Sequence, residues 1–310
     1  MNEGSFMKKL LAPGLLLLAS IIWGFAFPAQ KMVESVPPMA VIALRSVIAT
    51  LFLFPMVFVF DRVQKNERRF VSRRGLDFTR HELVGGGLLG VIYGIASGVQ
   101  QMGLTEGTDG GKGAFISALY VVIVPLIGLF LGRRPRPLVW GSIGLAVVGF
   151  YLLCIKGDFT MTTGDLLILL CALIFAFHIL TVDHFSPRCD GVRMSLVQFF
   201  VSSIVMTILS LIFEGPLDFS LVAPCILPLL YLGIGSSGVA YTLQIIGQKD
   251  TPPAVASILL SLESVFGVVG SVLLLGERMT LREGIGSLVV FSAVVLAQLP
   301  QKQKASALDK

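Results

Sequence analysis

Leu260-Ser261-Leu262-Glu263, followed by an apolar run and then Leu275-Gly276-Glu277-Arg278, restates an earlier passage of the same chain. At a shift of 144 positions stand Ile116-Ser117-Ala118-Leu119, another apolar run, and Leu131-Gly132-Arg133-Arg134. Repetition at a fixed offset predicts two copies of one structural unit. Outward from these motifs, the first half holds apolar segments at about 10–29, 38–60, 82–103, 112–131 and 137–155. The second half holds them at about 163–182, 194–213, 222–246, 252–275 and 281–299. A helix crosses the bilayer core in about 20 residues. The expected fold is therefore all-α and integral to a membrane, with ten transmembrane helices in two repeats, 1–159 and 160–310. An odd number of crossings per repeat makes the second copy enter from the opposite side, so the two five-helix repeats are expected to be inverted.

Composition agrees. The 310 residues are 55% hydrophobic and 14% charged, with a mean hydropathy of +0.85, whereas charged residues make up about 25% of a soluble domain. Prolines punctuate the gaps at Pro37-Pro38, Pro135, Pro137, Pro187, Pro216 and Pro252-Pro253. A proline at a helix start loses no hydrogen bond. The run after Lys8 and Lys9 resembles a signal peptide but has no small-residue cleavage site, so it reads as a retained first span.

Charge sets the orientation. With the N-terminus in the cytoplasm, the cytoplasmic segments hold 18 of the 24 Lys and Arg. Arg62, Lys65, Arg68, Arg69, Arg73, Arg74 and Arg80 share the loop between spans two and three. That distribution obeys the positive-inside rule and puts both termini inside. It also explains the net charge of +5 without nucleic acid as a partner, for which aromatic platforms among the charges would be needed.

Two ionisable residues fall where lipid would not tolerate them. Arg45 lies a third of the way into span two and Glu263 at the centre of span nine. A charge at mid-bilayer costs about 2.5–3.5 kcal/mol on insertion scales, so both must face the interior of the bundle. Arg45 is either a structural cation tied to helix-end carbonyls or a carboxylate, or an anchor for a substrate carboxylate or phosphate. Glu263 is either a protonated, hydrogen-bonded carboxyl or a proton-coupling group. Trp23, Tyr93, Gln101, Tyr120, His178, Gln198 and Tyr241 complete the candidate substrate-binding set, with Gln100 and Gln244 on the same spans. Each such residue can alternatively serve as an interhelical hydrogen bonder. Gly86, Gly90, Gly94 and Gly98 recur along span three, and Gly233, Gly235 and Gly238 along span eight, as surfaces for close packing or for sliding.

Several chemistries have no motif here. The chain has no H-E-x-x-H, phosphate-binding loop or carboxylate-rich metal cluster, and Gly110-Gly111-Lys112-Gly113 lacks the Ser or Thr of a nucleotide loop. No cofactor is expected. Cys154, Cys171, Cys189 and Cys225 show no paired spacing for a disulfide or zinc site. A membrane-embedded enzyme would need catalytic groups clustered at one depth, and a non-transporting helper subunit would need a partner protein.

The ordered set of motifs resembles the drug/metabolite transporter superfamily, in its EamA branch. Leu18-Ala19-Ser20-Ile21-Ile22-Trp23-Gly24-Phe25-Ala26-Phe27 is similar to the opening of the first repeat and Ala43-Leu44-Arg45 to its second span. Gly164-Asp165-Leu166-Leu167 resembles the start of the second repeat. Ser261-Leu262-Glu263-Ser264-Val265-Phe266 with Leu274-Leu275-Gly276-Glu277-Arg278 resembles its close. The first copy departs from the family pattern by carrying Arg133 where Gly-Glu is common. The resemblance implies a bacterial inner-membrane carrier that moves small metabolites, such as amino acids or amphipathic compounds, by alternating access. It implies a cavity lined by the first four spans of each repeat, with spans five and ten at the periphery. Export, and exchange for protons at Glu263, are further expectations. Arg45 falls opposite Gln198 and Trp23 opposite Phe175 when the copies are aligned, so the cavity is expected to be asymmetric.

Overall fold

The computed structural model describes residues 3–64, 75–108, 110–133, 135–154, 161–276 and 278–299. Lys65, Arg68, Arg69, Arg73, Arg74, Arg134, Lys156, Glu277 and the C-terminal lysines fall outside them, as do the side chains of Lys8, Lys9, Lys112 and Cys154. Among the described residues every regular element is helical: α1 (Glu3–Lys31), α2 (Pro38–Gln64), α3 (Arg80–Thr105), α4 (Gly110–Ala118), α5 (Tyr120–Phe130), α6 (Pro137–Cys154), α7 (Thr163–Phe185), α8 (Gly191–Phe213), α9 (Phe219–Val222), α10 (Ile226–Leu230), a π-helical stretch Tyr231–Ala240, α11 (Tyr241–Gln248), α12 (Pro253–Leu260), α13 (Glu263–Leu275) and α14 (Leu281–Gln298). Nine helical segments among the described residues are long and apolar enough to cross a membrane. The fifth expected span is a shorter apolar helix, Pro137–Leu152.

Sequence chemistry fixes where these helices begin and end. Pro38, Pro137 and Pro253 each stand at the first helical position, where the missing N–H is no loss. Capping boxes open three more: Thr79 with Glu82 at α3, Thr162 with Asp165 at α7, and Thr280 with Glu283 at α14. The repeated Leu-Gly pairs are helix stops. Gly132 and Gly276 have φ of 75° and 69°, a left-handed backbone that favours glycine. Beyond Gly132, the N–H of Arg133 donates to the Gly128 carbonyl at 2.8 Å and closes the last turn. At the first stop the helix is thus closed through the backbone of Arg133, with no carboxylate involved.

The packing is inverted relative to a soluble protein. Leu166, Leu170, Leu173 and Phe177 form an exposed stripe on α7, and Phe200, Ile204, Ile208 and Leu211 another on α8. Arg45, Gln101, His178, Gln198 and Glu263 are buried. That distribution suits helices whose outer solvent is hydrocarbon. The most extensive interhelical packing joins α6 to α14, α3 to α7 and α8, α2 to α8, and α1 to α13.

The glycine surfaces are close-packing surfaces. A Cβ on Gly90 would stand 2.4 Å from the Gln198 carbonyl oxygen, and one on Gly86 2.7 Å from Val197, so α3 lies against the backbone of α8. Gly233 takes the Ile48 side chain of α2 in the same way, with 2.5 Å to its Cβ. Gly235 stands apart, its nearest neighbour being the Tyr231 ring at 3.4 Å.

Both copies of the opening motif are breaks in a helix. The fourth span is interrupted at Leu119, between α4 and α5, and the ninth at Ser261-Leu262, between α12 and α13. The turns tighten to i→i+3 bonds there: Leu119 N–H to Ile116 O, and Leu262 N–H to Leu259 O. The third interruption is the π-helical Tyr231–Ala240 in the eighth span. Such irregular backbone is tolerated at membrane depth only where it is enclosed by protein or lines a cavity.

Candidate functional site

The three interruptions converge on one cavity, walled by residues of α1, α2, α3, α4, α5, α7, the π-helical stretch, α11, α12 and α13. Glu263 is the first residue of α13, so the break aims its carboxyl inward; it is 7% exposed. Tyr120, the first residue of α5, donates its hydroxyl to Glu263 Oε1 at 3.1 Å. The fourth and ninth spans are also tied by Ser264 Oγ, which donates to the Ala114 carbonyl at 3.2 Å. Gln100 Nε2 donates to Ser117 Oγ at 3.1 Å, securing the fourth span to α3.

Arg45 is 4% exposed. Its Nε donates to Ser237 Oγ at 2.9 Å and its Nη2 to Ser236 Oγ at 2.7 Å. Tyr93 shares Ser237, hydroxyl to hydroxyl at 3.1 Å, and its ring centroid lies 6.0 Å from the guanidinium carbon. Neighbouring serines reach one guanidinium because they sit in the widened turn of the π-helical stretch. Gly233 and Gly238 flank them and let α2 approach closely.

Tyr241 is the hub of the aromatic wall. Its ring centroid is 4.6 Å from Trp23, 4.8 Å from Tyr93, 5.5 Å from His178 and 5.7 Å from Phe199. Trp23 Nε1 donates to the Ser236 carbonyl at 3.0 Å, which fixes the indole against the stretch that carries the Arg45 partners.

Of the residues expected from the sequence, Trp23, Arg45, Tyr120, His178, Tyr241 and Glu263 line the cavity. Tyr93 stands behind Tyr241. Gln101 and Gln198 are buried away from the lining, and neither amide completes a hydrogen bond of ordinary geometry. His178 lies beside Gln198 in the same condition: close enough to interact, yet with neither ring nitrogen in a well-formed bond. The lining also includes Gln30, Ser97, Ser117 and Ser236, which sequence reasoning did not select. The usable signal for Ser236 was the run Gly235-Ser236-Ser237-Gly238 in a span facing a buried arginine, which needs acceptors. Ser97 and Ser117 carried no signal that separates them from serines in ordinary helix contacts. Trp23 and Phe175, aligned between the copies, both reach the cavity, whereas only Arg45 of the pair Arg45 and Gln198 does.

Comparison with known proteins gives this geometry a family. Residues 10–155 and, separately, 162–299 match the EamA-like transporter family. An uncharacterised transporter of Archaeoglobus fulgidus is 30% identical over 296 residues, spanning 94% of this chain and 87% of its own length. An uncharacterised transporter of Methanothermobacter thermautotrophicus is 25% identical, spanning 95% of this chain and 88% of its own. The uncharacterised transporter YoaV of Bacillus subtilis is 22% identical over 91% of this chain and 94% of its own length. One solved crystal structure superimposes with a TM-score of 0.72 at 19% identity, over 93% of this chain and 96% of that one, a likeness of fold. With both halves matched and the whole length aligned to named transporters, the chain belongs to the EamA-like transporter family and is a multi-pass membrane transporter.

Proposed function

We propose that the protein is a secondary carrier of small polar or amphipathic metabolites, amino acids among them, working by alternating access between two inverted five-helix repeats. The observation that carries this reading is the single cavity holding both Arg45 and Glu263, walled by residues from both halves of the chain. Ionisable residues inside membrane spans are costly and are retained mainly where they face a substrate or ion pathway. The repeats are 1–159 and 160–310, in keeping with the two family matches at 10–155 and 162–299. Their relation is supported by the twin breaks at Leu119 and Ser261-Leu262 and by the mutual packing of α6 with α14 and α2 with α8. Trp23, Arg45, Tyr120, His178 and Tyr241 contact cargo; Tyr93, Gln101 and Gln198 support that wall.

The carrier works as an exporter in a bacterial cytoplasmic membrane; its orientation, with both termini inside, is supported by the basic segments. Cargo exchanges against protons at Glu263, whose carboxyl stands at a helix break inside the cavity with a hydroxyl partner. Reconstitution in liposomes tests this. Counterflow of a metabolite from a mixed panel, driven further by an imposed pH gradient, is the expected result. Flux indifferent to a gradient of either sign removes proton exchange. The absence of counterflow for every panel member removes the carrier reading.

A further inference from the structure

We propose that Arg45 forms an anion subsite and that the cargo is a monocarboxylate with an aromatic or branched apolar body. This rests on the carrier reading and narrows it. A guanidinium cannot be deprotonated in a protein, so Arg45 is a permanent charge, yet its hydrogen-bond partners are neutral: Ser236 Oγ and Ser237 Oγ. No ion pair among the described residues involves it. A structural cation in a low-dielectric interior keeps a counter-charge, because an uncompensated one is strongly destabilising. Here two hydroxyls hold one edge of the fork and fix its plane without neutralising it. Nε and Nη2 are occupied, while Nη1 makes no hydrogen bond among the described residues and the residue lines the cavity. The Glu263 carboxyl of the same lining is held by the Tyr120 hydroxyl, which leaves the open edge of Arg45 to what enters, and a planar carboxylate matches the planar guanidinium.

The charge must be single. Arg45 is the one cation of the lining, and Glu263 stands in the same wall. A phosphate monoester would bring a second negative charge with nothing to meet it. An apolar, flat part of the body has Trp23, Tyr241, Phe27, Phe175 and Leu260 to meet in the same lining, which Gln30, Ser97, Gln100 and Gln244 share.

The test uses the purified full-length protein and follows melting temperature and, in a Trp140→Phe background that leaves Trp23 as the one tryptophan, fluorescence. The probes are 3-phenylpropanoate, 4-methylpentanoate, 3-phenylpropan-1-ol, phenethylamine, L-phenylalanine and phenyl phosphate. Saturable binding of the two carboxylates, with the alcohol, the amine and phenyl phosphate at least about tenfold weaker, is expected from loss or mismatch of a charge-assisted bond. Arg45→Gln should weaken carboxylate binding by about the same factor. Should that variant not fold, Ser236→Ala with Ser237→Ala releases the fork and should weaken the carboxylates while leaving the alcohol unchanged. Equal or tighter binding of the alcohol, the amine or phenyl phosphate overturns the proposal. So does binding of L-phenylalanine without its des-amino counterpart, or of no carboxylate at all. Counterflow of amines or neutral metabolites alongside such a result would leave the carrier standing and remove only the anion subsite.

Discussion

At the scale of single residues, position within a helix break matters as much as residue type. Glu263 was legible in the sequence because a carboxylate amid apolar residues has few explanations. Its partner was not, because a tyrosine 143 positions earlier gives no sign of which way its hydroxyl points. The serines that hold Arg45 were hidden for a related reason. Serine is common in membrane helices, and only the π-helical turn brings two consecutive hydroxyls to one guanidinium. Glu263→Gln keeps the shape and an acceptor for Tyr120, so the variant should insert and melt like the wild type while flux falls. Whatever flux remains should ignore a pH gradient. A retained gradient response, measured in liposomes, would mean that another group carries the proton. Tyr120→Phe removes one hydrogen bond to the carboxyl, a change of about 1 kcal/mol. It should shift the pH profile of transport without abolishing it.

At the scale of elements, nearly all the helices could be read from apolar runs, but their interruptions could not. Segments 112–131 and 252–275 read as continuous spans, because an apolar run records burial in lipid and not the backbone hydrogen-bonding pattern. The glycine ridge of α3 was legible as a close-packing surface, and the structure ranks its members. A Cβ on Gly90 would run into the backbone carbonyl of Gln198, whereas one on Gly98 would meet only the Met206 terminal methyl, at 3.0 Å. Gly90→Ala should therefore cost about 1–3 kcal/mol through overpacking. Gly98→Ala should be near neutral or gain up to about 1 kcal/mol from helix propensity. Equal melting temperatures for the two variants would show that α3 and α8 re-space freely. A further contact had no sequence signal. The Glu214 carboxylate, at the end of α8, accepts the N–H groups of Met39 at 2.7 Å and Ala40 at 2.9 Å. It caps α2 from a different helix, at the positive end of the α2 dipole. Glu214→Ala should lower stability by about 0.5–2 kcal/mol, the usual cost of a lost cap, and a thermal melt measures it.

At the scale of the whole molecule, α2 and α8 are joined along their length, and this decides which parts can rock. At one end Glu214 caps α2. At the other Arg193 of α8, with its side chain 5% exposed, donates to Asp61 of α2 at 2.7 Å and to the Gly75 carbonyl at 3.2 Å. Charge counting treated Arg193 as one more cytoplasmic cation, because its partner stands 132 positions away and nothing local marks the pair as buried. Midway along, Ser46 Oγ and Ser202 Oγ meet at 3.0 Å. A helix pair fastened at both ends and at its middle is expected to move as one body, so in the proposed alternating-access cycle the halves would part not at this seam but at the broken fourth, eighth and ninth spans. Breaking the ion pair by Arg193→Ala leaves the part-buried Asp61 carboxylate with the Gly75 N–H but without its cation and should cost about 1–3 kcal/mol. A double-mutant cycle with Asp61→Asn would isolate the coupling. The sharper test is covalent. Ser46→Cys with Ser202→Cys places two thiols where hydroxyls already touch, within reach of a disulfide. If the two helices travel together, the oxidised protein should sustain counterflow at the rate of its reduced form. Flux lost on oxidation and recovered on reduction would show that α2 and α8 slide past each other during transport, and that the close contact of their small residues is a moving surface.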